Sequence, residues 1–188
     1  AALGLAAGHY LATSEIPAVY MQNSGEGNII NPLASLTDKE VYNIPVLLII
    51  GWRGEPGKKD EPQHVKQGKV TLPLLDVMGI KYVVLDKDES ICEQQLQEAV
   101  TYMKATKEPY ALIIQKDTFE NYILQNNVQN NYEMTREEAI HLVASCLESK
   151  SCIVSTTGMI SRELFEYRES VNEGHEKDFL TVGSMGHA

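Results

Sequence analysis

The sequence predicts an α/β protein in which a parallel sheet lies between layers of helices, three layers in all. Continuous apolar runs of strand length recur at residues 45–50 (PVLLII) and 110–115 (YALIIQ), with shorter ones at 17–21 and 81–85 (KYVVL). Runs of that kind belong in a sheet covered on both faces. Helical periodicity separates them, most strongly over 89–106. Glycine-bearing turns follow the strands, as βαβ units require.

Composition sets the class. With 188 residues, 43% hydrophobic and 22% charged, the chain is sized for one domain or one and a part and has the balance of a soluble globular protein. A formal charge of −10 argues against nucleic acid or an anionic membrane as partner, since both repel it on average. No apolar run approaches the roughly 20 residues that span a bilayer. Cys92, Cys146 and Cys152 are odd in number and form no CxxC pair, which fits a reducing, cytoplasmic setting and a packing role. The five histidines show no metal-ligand spacing, so no zinc site is expected.

Taken in order, residues 1–12 read as a helix whose Gly4 and Gly8 share a face and permit close packing. The first strand covers 17–21, and a helix is expected from Asn28 to about Glu40. The stretch VYMQNSGEGNIINPLASL at 19–36 therefore reads as strand, glycine turn and helix, and the chain is organised around it. Two readings of Gly25 and Gly27 stand open. They allow a tight turn, or they let backbone amides at a helix start approach an anion or a ring.

The strand at 45–50 leads into WRGEPGKKDEPQH, residues 52–64, where Gly54, Pro56, Gly57 and Pro62 predict a long loop. Such a loop leaves the C-terminal end of its strand, the edge at which open α/β sheets bind ligands. Arg53, Lys58, Lys59 and His64 concentrate cationic or potentially cationic groups there, interleaved with Glu55, Asp60 and Glu61. Either the loop is solvated and self-compensating, or it binds an anion or closes over one.

A short helix is expected over 72–79 with Gly79 as its stop, then a strand at 81–85. The helix at 89–106 presents Ile91, Leu96, Ala99, Val100 and Met103 as its apolar side, and the strand at 110–115 follows. Residues 117–133, rich in Asn and without periodicity, read as a linker. Thr135 and Glu138 form a capping box for a helix to about Leu147. A strand at 151–155, a turn at Thr156, Thr157 and Gly158, a helix to about Tyr167 and a strand at 178–182 complete the chain. The expected organisation is thus a first α/β domain at 1–116, a linker at 117–134 and the start of a second α/β domain at 135–188. Both ends read as cut, the first within a helix and the last just past a strand.

QNSGEGNIINPLASL, GWRGEPGKKDEPQH, STTGMISRELFE and DFLTVGSMGHA resemble successive blocks of the phosphonopyruvate decarboxylase family, thiamine diphosphate enzymes close to the sulfopyruvate decarboxylases. The resemblance covers nearly the whole chain, and GEPGKKDEPQH is its most specific block. It implies a thiamine diphosphate-binding fold, in which residues 1–116 are most of a pyrimidine-binding domain and 135–188 the truncated start of a diphosphate-binding domain. The implied activity is decarboxylation of phosphonopyruvate to phosphonoacetaldehyde and carbon dioxide, with thiamine diphosphate as electron sink and Mg2+ bridging its diphosphate to protein oxygens. A cofactor held between subunits implies a homo-oligomer, dimer or higher.

By position, the resemblance assigns Gln22, Asn23, Gly25, Gly27 and Asn28 to the turn facing the pyrimidine ring. Ser155, Thr156 and Thr157 fall on the turn that donates to the diphosphate, and Gly183, Ser184 and Met185 on the turn beneath the cofactor's bend, with Met185 as the apolar prop. Arg53, Lys58 and Lys59 are the candidates for the substrate's phosphonate. The family's catalytic glutamate falls before Ala1 and its GDG metal segment is absent, so these residues alone are expected to be inactive. The alternatives are a sulfopyruvate decarboxylase, an acetolactate-synthase-like ligase, and, in a different class, a non-catalytic ligand-binding or subunit-interface domain.

Overall fold

The computed structural model describes residues 1–125, 130–148, 150–156 and 158–182, and the chain divides into two compact units, Ala1–Tyr122 and Ile123–Ala188. The first unit holds four parallel strands, β1 (Ala18–Gln22), β2 (Leu47–Gly51), β3 (Lys81–Val84) and β4 (Tyr110–Ile114), in the order β1-β2-β4-β3. Side chains of successive strand residues point to opposite faces, and the two faces have different cover. Leu48, Ile50, Ala111 and Ile113 face α1 (Ala2–Thr13), α2 (Glu26–Pro32) and α3 (Pro62–Val77), which contribute Leu3, Ala6, Ala7, Ile29 and Leu75. Tyr110 and Leu112 face α4 (Glu89–Thr106) through Ala99 and Met103. The expected α/β layering is therefore present.

Several local expectations are corrected. No open glycine turn follows β1. The chain enters a 3-10 turn at Asn23–Gly25, continues directly into α2, and finishes in a π-helical turn at Leu33–Thr37. Gly25 has φ −82°, which any residue adopts, and a Cβ on Gly27 would meet nothing within 4 Å. Burial of Asn23, Glu26 and Ile29 at helical spacing outweighs the turn chemistry of the glycines.

Helix α3 starts at Pro62, ten residues ahead of the expected start at 72, so His64 lies on a helix rather than in the loop. Pro62 is tolerated in the first turn, where its missing N–H needs no partner. Pro73 lies within the helix, where it cannot donate to the Lys69 carbonyl, and both residues are on the exposed face. Gly79 does stop the helix, with φ +66°.

Gly4 and Gly8 point to solvent, while α1 packs through Leu3, Ala6 and Ala7. On α4, Ala99 and Met103 are buried but Ile91 and Leu96 are exposed. Gln95 faces the sheet instead, donating to the Val84 carbonyl at 3.2 Å and accepting from the Asp86 amide at 2.9 Å. Cys92 is half-buried, whereas Cys146 and Cys152 are exposed and have no packing role.

The second unit contains α5 (Arg136–Ser145), β5 (Ile153–Thr156), α6 (Met159–Ser170) and β6 (Asp178–Val182), with β5 and β6 parallel. The Thr135–Glu138 capping box is formed in both directions. Helices α5 and α6 are joined by Arg136, which donates to both carboxylate oxygens of Glu163 at 2.8 and 2.5 Å.

Candidate functional site

Parallel strands bring their C-terminal ends to one edge. In the first unit Gln22, Gly51 and Ile114 are register partners, so β1, β2 and β4 finish level with one another. The segments leaving β2 and β4 stay together for one further bond, from the Trp52 amide to the Ile114 carbonyl at 2.8 Å. Above this edge lies a cleft of about 410 Å3 with Tyr20, Gln22, Gly51 and Ile114 along its base. One wall is the segment 52–61 and the other is the start of the β4 exit, Gln115 and Lys116.

The segment 52–61 is held by its own side chains. Asp60 accepts from Arg53 Nε at 2.8 Å and Nη2 at 2.5 Å, and from the amides of Gly54 and Glu61 at 2.7 and 2.8 Å. Those bonds, led by the guanidinium, hold the Asp60 carboxyl well below the usual carboxylate range. Glu55 pairs with Lys58 at 2.8 Å and accepts from Gln115 Nε2 at 2.5 Å, tying one wall to the other. Trp52 Nε1 donates to the Gly68 carbonyl of α3 at 2.9 Å. Segment and helix meet main chain to main chain. A Cβ on Gly68 would lie 1.7 Å from the Gly54 oxygen, and one on Gly54, at φ +68°, would lie 2.0 Å from the His64 oxygen.

Beneath the segment lies a buried polar cluster. Asn23 Nδ2 donates to the Arg53 carbonyl at 2.8 Å and to Thr71 Oγ1 at 2.9 Å, while its Oδ1 accepts from the Arg53 amide at 3.2 Å. Thr71 donates to the Gln67 carbonyl at 2.8 Å. Glu26, only 4% exposed, adjoins the same hydroxyl, and its Oε1 is enclosed without a hydrogen bond. Burial pushes its carboxyl up to about 7, against a smaller lowering by Thr71.

Of the residues assigned to the pyrimidine turn, Gln22 lines the cleft, with its Nε2 3.4 Å from His64 Nδ1. Asn23 lies immediately below, with its amide engaged. Gly27 and Asn28 are exposed on α2. Arg53, Lys58 and Lys59 all line the cleft, the first two in ion pairs. In the second unit the Ser155 hydroxyl is buried 2.8 Å from Ser161 Oγ, and Thr156 is exposed. Thr157, Gly183, Ser184 and Met185 lie outside the described residues. Among those that are described, no group of three or more His, Cys, Asp or Glu side chains is arranged to hold a metal ion.

Glu26, Asp60, Thr71 and Lys116 escape a reading by motif. The edge rule finds one of them, because Lys116 lies two residues past the end of β4, on the exit that runs beside the 52–61 segment.

No family model matches the chain. It is 28% identical to the phosphonopyruvate decarboxylase of Streptomyces viridochromogenes over 202 residues, covering 100% of this chain and 49% of that protein. The figures for phosphonopyruvate decarboxylase of Streptomyces hygroscopicus are 28% and 48% of that protein. Against the sulfopyruvate decarboxylase subunit alpha of Methanocaldococcus jannaschii it is 38% identical over 112 residues, covering 60% of this chain and 63% of the relative. The chain is thus homologous over its full length to phosphonopyruvate decarboxylases, and it spans about half the length of those curated relatives.

Proposed function

We propose that this chain forms part of a thiamine diphosphate-dependent decarboxylase acting on phosphonopyruvate, and that its first unit supplies one wall of the active cleft. The observation that carries this reading is the full-length similarity to phosphonopyruvate decarboxylases. The cleft supports it, since it lies at the ligand-binding edge of a parallel sheet and is rimmed by cations in a chain of net charge −10.

The residues present do not by themselves fit the cofactor. Both acidic side chains of the cleft, Glu55 and Asp60, are engaged within the loop, so neither is free to hold an aminopyrimidine nitrogen. The Ser155 hydroxyl, assigned to the diphosphate, is turned to Ser161. No GDG segment occurs in these 188 residues either. In the whole enzyme thiamine diphosphate would supply an electron sink for the bonding pair left on the substrate when carbon dioxide departs. This chain's share is to shape the cleft and hold the acid, and alone it is proposed to be inactive.

The second reading, a sulfopyruvate decarboxylase, is favoured by the 38% identity to a relative named as a subunit alpha, which points to an assembly of more than one chain. The test is carbon dioxide release by the full-length gene product, supplied with thiamine diphosphate and Mg2+, on each acid in turn. Turnover of phosphonopyruvate above sulfopyruvate is the expected result. Release from neither acid overturns the decarboxylase reading.

A further inference from the structure

The cleft contains four cationic side chains, Arg53, Lys58, Lys59 and Lys116, against two acidic ones, Glu55 and Asp60, an excess of two positive charges. They are not equivalent. Arg53 is consumed by Asp60 and Lys58 by Glu55, and each of those carboxylates also fastens the 52–61 segment. Lys59 and Lys116 are exposed and, among the described residues, have no ion-pair partner. They come from opposite walls, one from the β2 exit and the other from the β4 exit, and those exits leave adjacent strands at the same level. The Gln115–Glu55 bond, directly beside Lys116, sets the spacing of the walls.

We propose that Lys59 and Lys116 together receive the terminal acid group of the substrate, while Arg53 and Lys58 are structural. This rests on the decarboxylase reading and changes which residues recognise the acid. Two ammonium groups, each a compact charge with three donors, suit a tetrahedral oxo acid approached from two sides. A guanidinium fork grips carboxylates and phosphonates alike, and the Arg53 fork in this cleft already donates through Nε and Nη2 to Asp60, which leaves the two lysines for the ligand. An excess of two charges also favours a phosphonate carrying about two negative charges over a singly charged sulfonate.

The test uses the whole chain and two inert probes, 3-phosphonopropionate and 3-sulfopropionate, which lack the 2-oxo group. Affinity is measured by calorimetry and phosphorus NMR at low ionic strength. K59A and K116A are expected to weaken 3-phosphonopropionate by about tenfold or more each, the loss of one charge-assisted contact. K116R is expected to restore most of the binding. K104A, on α4 outside the cleft, changes net charge equally and is expected to stay within about twofold of wild type, because screened charges at a distance add little. The phosphonate is expected to bind tighter than the sulfonate.

The inference is overturned if K59A and K116A behave like K104A, if wild type shows no saturable binding, or if succinate binds as tightly as 3-phosphonopropionate. Decarboxylation by the full-length protein is a separate measurement. Failure there with the lysine dependence intact removes the functional reading and leaves the lysines as an anion site.

Discussion

Replacing Glu26 with Gln tests the physical account of the cluster beneath the cleft. Below pH 4.5 this carboxyl is protonated whether the chain is folded or not, and its burial costs nothing electrostatic. Between 4.5 and about 7 the unfolded chain releases the proton while the folded chain keeps it, so folding takes up a proton and stability falls as pH rises. Above about 7 both states are ionised and the deficit is constant, about 3 kcal/mol for that gap. About 2.5 kcal/mol of it opens between pH 5 and pH 8. Glutamine keeps the shape and a donor for Thr71 but cannot ionise, so the variant should gain on wild type by about that amount over the same interval. Trp52 is the only tryptophan and is joined to α3, so its emission during urea unfolding reports on the first unit. A stability difference between E26Q and wild type that does not change between pH 5 and pH 8 refutes the reasoning.

The remaining predictions concern the parts that hold the cleft and the second unit. Asp60→Asn weakens the bonds from Arg53 and Gly54. Because the Asp60 carboxyl is held below its ordinary value, its contribution is present above that value and lost as pH falls, so the variant should lose that acid-side dependence and shift Trp52 emission toward solvent. Gly68→Ala places a Cβ 1.7 Å from the Gly54 oxygen and should cost about 3 kcal/mol in urea unfolding, with Gly57→Ala, where a Cβ meets nothing within 4 Å, as the comparison at a cost of about 1 kcal/mol from its φ of +85°. Thr135→Ala removes the α5 cap and should cost about 1 kcal/mol, read as about fivefold faster hydrogen exchange at the Ala139 amide, which bonds to the Thr135 carbonyl.

The strands were legible because continuous apolar runs report burial on two faces directly, and PVLLII and YALIIQ became the two central strands. The capping box at Thr135 was legible because its chemistry is complete within four residues. The start of α3 was not, because Pro62 has the same appearance whether it breaks a helix or begins one, and only the packing of Gly68 and Thr71 decides. The turn after β1 was misread for a related reason. Glycine permits an open turn without requiring one, and the burial of Glu26 and Ile29 required a helix.

At the candidate site, local composition revealed the charged segment and the edge on which it lies. It did not reveal which charges cancel, because the Arg53–Asp60 pair forms only when residues seven apart are folded back on one another, and the Glu55–Gln115 bond spans 60 positions. Glu26 was hidden for the same reason. A carboxylate between two glycines reads as solvated until α3 is laid over it.

The meeting of Gly54 with Gly68 gives the cleft an unusual kind of permanence. Where the segment lies on the helix, the contour is inherited from polypeptide spine against polypeptide spine, so exchange of side chains other than the Asp60 and Glu55 fasteners leaves that part of the outline intact as long as those two positions stay bare. Changes in ligand preference can therefore accumulate at the rim, residue by residue, over a foundation that does not have to be rebuilt.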